Sequence, residues 1–192
     1  MTHAVDNPLL QAAAYLVSAL AQMGIVPTFV GGVAVSLIAK PRYTGDLDAL
    51  IIFDADNVDT LLNTLARHGF RARFEGMAEL ARRVRMVSLA HEDTGSIVDI
   101  CLGYLPFEIE VQERGAQCDV AGASIRIASP EDLVILKAIT NRPKDREDIR
   151  CIVEIYTNLD RARIRFWVEQ FAELLEKPGL RAVIERVLDG GD

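Results

Sequence analysis

The run Thr28-Phe29-Val30-Gly31-Gly32, followed after thirteen residues by Asp46-Leu47-Asp48 and then Ala49-Leu50-Ile51-Ile52-Phe53, carries the main expectations for this chain. Thr28 to Val30 is a short β-prone run. The stretch from Val33 to Ala39 reads as a helix that stops before Pro41, because a residue preceding proline disfavours the helical region. A strand that runs into a glycine pair at a helix start lets backbone N–H groups come close to phosphate oxygens. The pair is not a P-loop, since no Gly-Lys-Ser/Thr follows, and the GxGxxG spacing is absent. Asp46 and Asp48 stand at the mouth of an apolar strand over Leu47 to Phe53. Period-two geometry places both carboxylates on one face and turns Leu47 to the other. Two such anions repel one another unless a cation lies between them, and oxygen-only ligation with room for water suits Mg2+ or Mn2+. A solvated acidic strand entrance is the alternative reading of the same pair.

A third acid, Asp99, interrupts the apolar run Ile97-Val98-Asp99-Ile100-Cys101-Leu102. A carboxylate inside a central strand is costly to bury alone, so it calls for a positive partner. That partner is either a metal shared with Asp46 and Asp48 or one of the many arginines.

Outward from this centre, residues 8–23 read as a helix with Pro8 near its start and Gly24 past its end, and 57–68 as another that stops at Gly69. Strands are expected near 70–74, 84–90, 96–102, 117–121 and 124–128, with a short helix around 77–83 and a hairpin turn at Ala121-Gly122-Ala123. From Ser129 the pattern turns helical, at about 130–140, 145–156, 161–176 and 179–188, with Ser129 as the N-cap of the first. This order implies an α/β core over residues 1–128 and a helical C-terminal region over 129–192 packed on that core. No internal repeat or low-complexity tract is visible.

With 192 residues, 50% hydrophobic, the chain can bury a real core and is not disordered. A net charge of -7 argues against a general nucleic-acid coat protein. Six arginines (67, 71, 73, 82, 83, 85) against Glu75 and Glu79 nevertheless make one segment locally positive. Arg82, Arg83 and Arg85 read as a polyanion-binding edge or as an arginine-rich surface helix. The three cysteines form no CxxC pair, so neither a disulfide framework nor a zinc site is expected. The apolar stretch from Leu9 to Leu20 has no basic start and is too short to span a bilayer, which makes the cytoplasm the expected compartment, with no membrane partner.

The glycine pair, the spacer, the Asp-x-Asp and the later strand aspartate together resemble the signature of the nucleotidyltransferase (polymerase-β-like) superfamily. Arg42-Tyr43-Thr44-Gly45-Asp46-Leu47-Asp48 fits the common form Arg-x-Thr-x-Asp-x-Asp. Ser129 to Leu133, Leu136-Lys137-Ala138, and Arg142-Pro143-Lys144-Asp145-Arg146-Glu147-Asp148-Ile149 resemble the later motifs of minimal, AbiEii-like toxin nucleotidyltransferases, although Ala138 here follows the lysine directly. The resemblance implies a mixed β-sheet flanked by helices. It further implies metal-dependent transfer of NMP from an NTP to an acceptor hydroxyl, with RNA such as tRNA as acceptor and a cognate antitoxin as a possible partner. The same fold also serves enzymes that adenylylate aminoglycoside-like antibiotics, and regulatory modules that only bind nucleotide.

In the roles so implied, Asp46, Asp48 and Asp99 hold Mg2+ or Mn2+, with Asp99 also serving as base toward the acceptor. Gly31, Gly32, Arg42, Thr44, Lys137 and Lys144 meet the triphosphate, and Asp145 or Asp148 supplies a further acid. Lys137 lies beside Leu133, Val134 and Leu136, an unusual place for a free ammonium, so it either reaches inward to phosphate or snorkels along the core edge. Asp145 and Asp148 also suit helix capping and dipole compensation.

Overall fold

Strand β2 (Asp46–Ile52) sits at the middle of a seven-stranded mixed sheet in the computed structural model, which describes residues 7–120 and 122–188. Its partners are β1 (Thr28–Val30), antiparallel, and β5 (Ile97–Gly103), parallel. The sheet continues through β4 (Met86–His91) to β3 (Phe70–Ala72) at one edge, and through β7 (Ala123–Ile127) to β6 (Ala116–Val120) at the other. Strands β6 and β7 pair with Val120 opposite Ala123; of the expected turn at Ala121-Gly122-Ala123, Ala121 lies outside the described residues.

The chain divides into two units. The first comprises Met1–Val33 and Tyr43–Ala128 and contains the sheet. Alternation along β2, β4 and β5 makes one face of this sheet dry, with Leu47, Ile51, Val87, Leu89, Val98 and Ile100 all buried. Helix α1 (Pro8–Ala21), with Asn7 as N-cap, contacts β2 and β7; α3 (Val58–Ala66) contacts α1 and β3; α4 (Met77–Val84) contacts β4. The opposite face is only half buried where it carries Asp46, Asp48, Asp99 and Ser88.

Helix α5 (Pro106–Arg114) has no counterpart among the elements expected from the sequence. Its Phe-Glu-Ile-Glu-Val run alternates with period two, which disguises a helix as a strand. Pro106 in the first turn and the Glu108 carboxylate, which accepts from the Tyr104 and Leu105 N–H groups at 2.8 and 2.9 Å, start the helix. Phe107 and Val111, four apart, are its buried side chains. It covers the end of the half-buried face beyond the acids: Gln112 accepts from the Thr28 hydroxyl at 2.7 Å, and Glu108 from the Cys101 thiol at 3.6 Å. Burial, then the negative charge of Glu108, pushes the Cys101 thiol up to about 12.

The second unit comprises Ala34–Arg42 and Ser129–Asp192. Helix α2 (Gly31–Ile38) therefore begins in the first unit and contributes its later turns to the second. The other helices here are α6 (Pro130–Thr140), α7 (Pro143–Ile155), α8 (Arg161–Leu174) and α9 (Gly179–Leu188). Ser129 caps α6 by accepting from the Asp132 N–H at 3.2 Å, and Asn141 ends it in the left-handed conformation. Buried Asp132 is held by Arg163 at 2.7 Å, tying α6 to α8. No helix among the described residues is long and apolar enough to cross a membrane.

Candidate metal centre

Register brings the three acids of the first unit together. In the parallel pairing of β2 with β5, Asp48 stands directly opposite Asp99, and Asp46 precedes Asp48 by two residues on the same face. One carboxylate oxygen from each of Asp46, Asp48 and Asp99 lies within 4.8 Å of the others, all three side chains being half-buried. Three carboxylates so close repel one another, and the donor set is all oxygen with open sides for water. That chemistry fits Mg2+ or Mn2+ and not a zinc site built on thiolate or imidazole. Among the described residues no arginine or lysine pairs with Asp46 or Asp99, so the arginine salt bridge that could have explained Asp99 does not form. Hydroxyl groups take that place: Thr44 donates to Asp46 Oδ1 at 3.3 Å, and Ser88 donates to Asp99 Oδ1 at 2.5 Å.

Gly31 closes the site from the β1–α2 junction. Its φ of +66° favours glycine, and a Cβ there would stand 1.9 Å from Asp48 Oδ2. Gly32 follows it, buried, in the first turn of α2, whose N-terminal amides carry the positive end of the helix dipole. Gly31→Ala is expected to drive the Asp48 carboxylate out of place, besides costing about 1–2 kcal/mol for a left-handed alanine. Mg2+-dependent binding of a non-hydrolysable NTP should weaken by about tenfold or more, a loss of the size that outer-shell defects cause at metal sites. Wild-type affinity in calorimetry would contradict this close approach.

Lys137, Asp145 and Asp148 of the later motifs form a second cluster with Arg42, within the second unit. Lys137 Nζ lies 3.0 Å from Asp145 and 2.8 Å from Asp148, all three side chains being buried. Arg42 forks onto Asp148, its Nε at 2.7 Å and Nη2 at 2.8 Å, while Arg142 Nε reaches Asp145 at 2.6 Å. Asp145 also accepts from the Thr140 hydroxyl and caps α7 by accepting from the Arg142 N–H at 3.1 Å. Burial raises the Asp145 carboxyl, but the hydrogen bonds from Arg142, Thr140 and Lys137, with the Lys137 charge, hold it well below the usual carboxylate range. Lys144 is exposed on the first turn of α7.

The arginine-rich segment is largely occupied by local partners. Arg71 pairs with Glu92 at 2.8 Å, and Arg82 pairs with Asp59. Arg85 donates to the Leu102 and Phe53 carbonyls at 2.7 and 2.9 Å and stacks over Tyr104. Sequence reasoning missed these partners and also missed Ser88. A polar residue at the right parity in an otherwise apolar strand was the available signal, but only the β4–β5 register shows what it faces.

Solved structures of other proteins share the fold, three of them as follows. An antigenic nucleotidyltransferase-like protein from Paracoccidioides brasiliensis is 17% identical, with a TM-score of 0.59 and 94% of each chain covered. The lincosamide antibiotic adenylyltransferase LnuA, bound to lincomycin, is 15% identical at a TM-score of 0.53, over 80% of this chain and all of that one. The antibiotic-resistance factor ANT(2'')-Ia is 15% identical at a TM-score of 0.59, over 88% and 92% of the two chains. No curated protein matches the sequence. The sequence matches, over residues 9–182, the family described as "Nucleotidyl transferase of unknown function (DUF2204)", and the chain belongs to that family.

Proposed function

We propose that this protein transfers a nucleotidyl group from an NTP to an acceptor hydroxyl, breaking the α–β phosphoanhydride and releasing pyrophosphate, with Mg2+ or Mn2+ that Asp46, Asp48 and Asp99 would hold. The observation that supports it is the convergence of those three carboxylates within 4.8 Å. The chemistry such an ion supplies is neutralisation of the triphosphate and a lower pKa for the attacking hydroxyl. Gly31 and Gly32 present backbone amides to the phosphates, and Thr44 steadies Asp46. Asp99 faces the acceptor and receives its proton. Lys137, Asp145, Asp148 and Arg42 act in this reading as the structural ion cluster of the second unit, because each is already engaged by another member of that cluster.

For the acceptor, a small hydroxylated molecule is favoured over RNA. The arginines that would have formed a polyanion edge are largely engaged with carboxylates and carbonyls, and the net charge of -7 opposes a polyanion at long range. LnuA, a lincosamide antibiotic adenylyltransferase, and ANT(2'')-Ia, an antibiotic-resistance factor, share this fold. An RNA acceptor, with the toxin role and antitoxin partner it would bring, is the second reading; the AbiEii-like motif string favours it. Incubation with each α-labelled NTP, Mg2+, and either total RNA or a panel of aminoglycosides and lincosamides tests both. Label on a small molecule is the expected result, and label on RNA alone selects the second reading. Because Asp46 and Asp48 would still hold the ion that meets the triphosphate, and Asp99 serves the acceptor side, Asp99→Asn should lower transfer by roughly two to four decades while changing NTP affinity little. Full activity in that variant would remove Asp99 from the chemistry.

A further inference from the structure

The acid site does not end at Asp99. Asp48 stands opposite Asp99 on β5, Asp99 stands opposite Ser88 on β4, and the Arg73 N–H just beyond β3 donates to the Ser88 carbonyl at 3.1 Å. Opposed residues in a sheet present their side chains to the same face, so these four form one lateral row of the first unit. The row is also connected through its side chains. Arg73 Nη1 donates to Ser88 Oγ at 3.1 Å, and Ser88 Oγ donates to Asp99 Oδ1 at 2.5 Å.

Resting on the metal reading above, we propose that Ser88 is a positioning residue for Asp99 and that Arg73 sets the direction in which Ser88 works. A serine hydroxyl has a single hydrogen and rotates to suit its surroundings. A guanidinium has only hydrogens to give, so at Ser88 Oγ it occupies a lone pair and leaves the hydroxyl hydrogen for the carboxylate. The resulting O–H···O− contact is a charge-assisted bond. It ties up Oδ1, holds Asp99 in one orientation, and leaves Oδ2 to serve the ion. Arg73 also brings positive charge to within one hydroxyl of a cluster of three carboxylates, which eases the crowding of anions without taking a ligand oxygen. Its own guanidinium is steadied over the Phe74 ring at 5.3 Å.

The test is Mn2+ binding to the nucleotide-free protein, read from the free-ion signal in electron paramagnetic resonance, with melting temperature measured alongside. Ser88→Ala should weaken Mn2+ by about tenfold, the low end of what loss of an outer-shell partner costs. Ser88→Thr, which keeps a hydroxyl on a β-branched frame suited to a strand, should restore affinity to within about twofold of wild type. Arg73→Ala should fall between, and Asp99→Asn should be the weakest binder. Wild-type affinity in Ser88→Ala beside a clear loss in Asp99→Asn would overturn the role of Ser88 and leave the metal site standing. Equal weakening in Ser88→Ala and Ser88→Thr would overturn it too, by showing that the hydroxyl is not what matters. No Mn2+ binding by the wild-type protein would remove the metal site and this inference together.

Discussion

Asp46→Ala and Asp48→Ala are each expected to abolish Mg2+-dependent binding of a non-hydrolysable NTP while leaving a folded protein. Both side chains lie half-buried on the polar face of β2, so neither truncation opens a cavity in the core. Removing one of three crowded carboxylates relieves repulsion, and the melting temperature should stay level or rise. Outer-shell partners alone cost about 10–100-fold in metal affinity, so loss of a direct ligand belongs at the top of that range or beyond it. Calorimetric titration is the measurement. Unchanged affinity in both variants would refute the metal centre.

Lys137→Met should have the largest effect on stability. The ammonium is buried between two buried carboxylates, and its removal leaves both anions short of a cation. Breaking a buried ion pair from one side typically costs about 3–5 kcal/mol. Asp148 keeps Arg42 and Asp145 keeps Arg142, which places the expected loss near the bottom of that range, at about 3 kcal/mol. Denaturant unfolding checks this, and a variant as stable as wild type would mean that the arginines suffice. The same cluster has a pH signature. Because the folded-state carboxyl of Asp145 is held below its unfolded value, its stabilisation is complete above the ordinary carboxylate range. It is lost as pH falls from about 4 toward the depressed folded value. Acid unfolding of the wild type followed by circular dichroism should thus be steeper below about pH 4 than that of Asp145→Asn.

What the sequence revealed was what depends on near neighbours. The same-face placement of Asp46 and Asp48 follows from strand geometry alone, and Asp99 stood out because a carboxylate broke an apolar run. The cap at Ser129 and the glycine pair before α2 are likewise local signals. Helix α5 was hidden by a period-two alternation in its own residues. What needed a distant partner was not legible in the sequence. A charge count over residues 67–85 cannot see Asp59, Glu92 or the Phe53 carbonyl, so it overstated the free positive surface. Lys137 stands in the sequence beside apolar residues, but the pairing of its ammonium with Asp145 and Asp148 on the next helix, and of Arg42 with Asp148 from 106 residues away, shows only in the structure. Ser88 waited on the strand register.

The contact between Gly31 and Asp48 also has a consequence for the protein's relatives. With Asp48 Oδ2 1.9 Å from where a Cβ would stand, Gly31 is not free to change while Asp48 remains. A lineage that keeps the acid must keep the glycine, and one that gives up the acid has lost the main reason to retain it. Paired substitution at these two positions therefore offers a simple test for sorting relatives: those that have replaced both should prove to be binders or scaffolds rather than transferases.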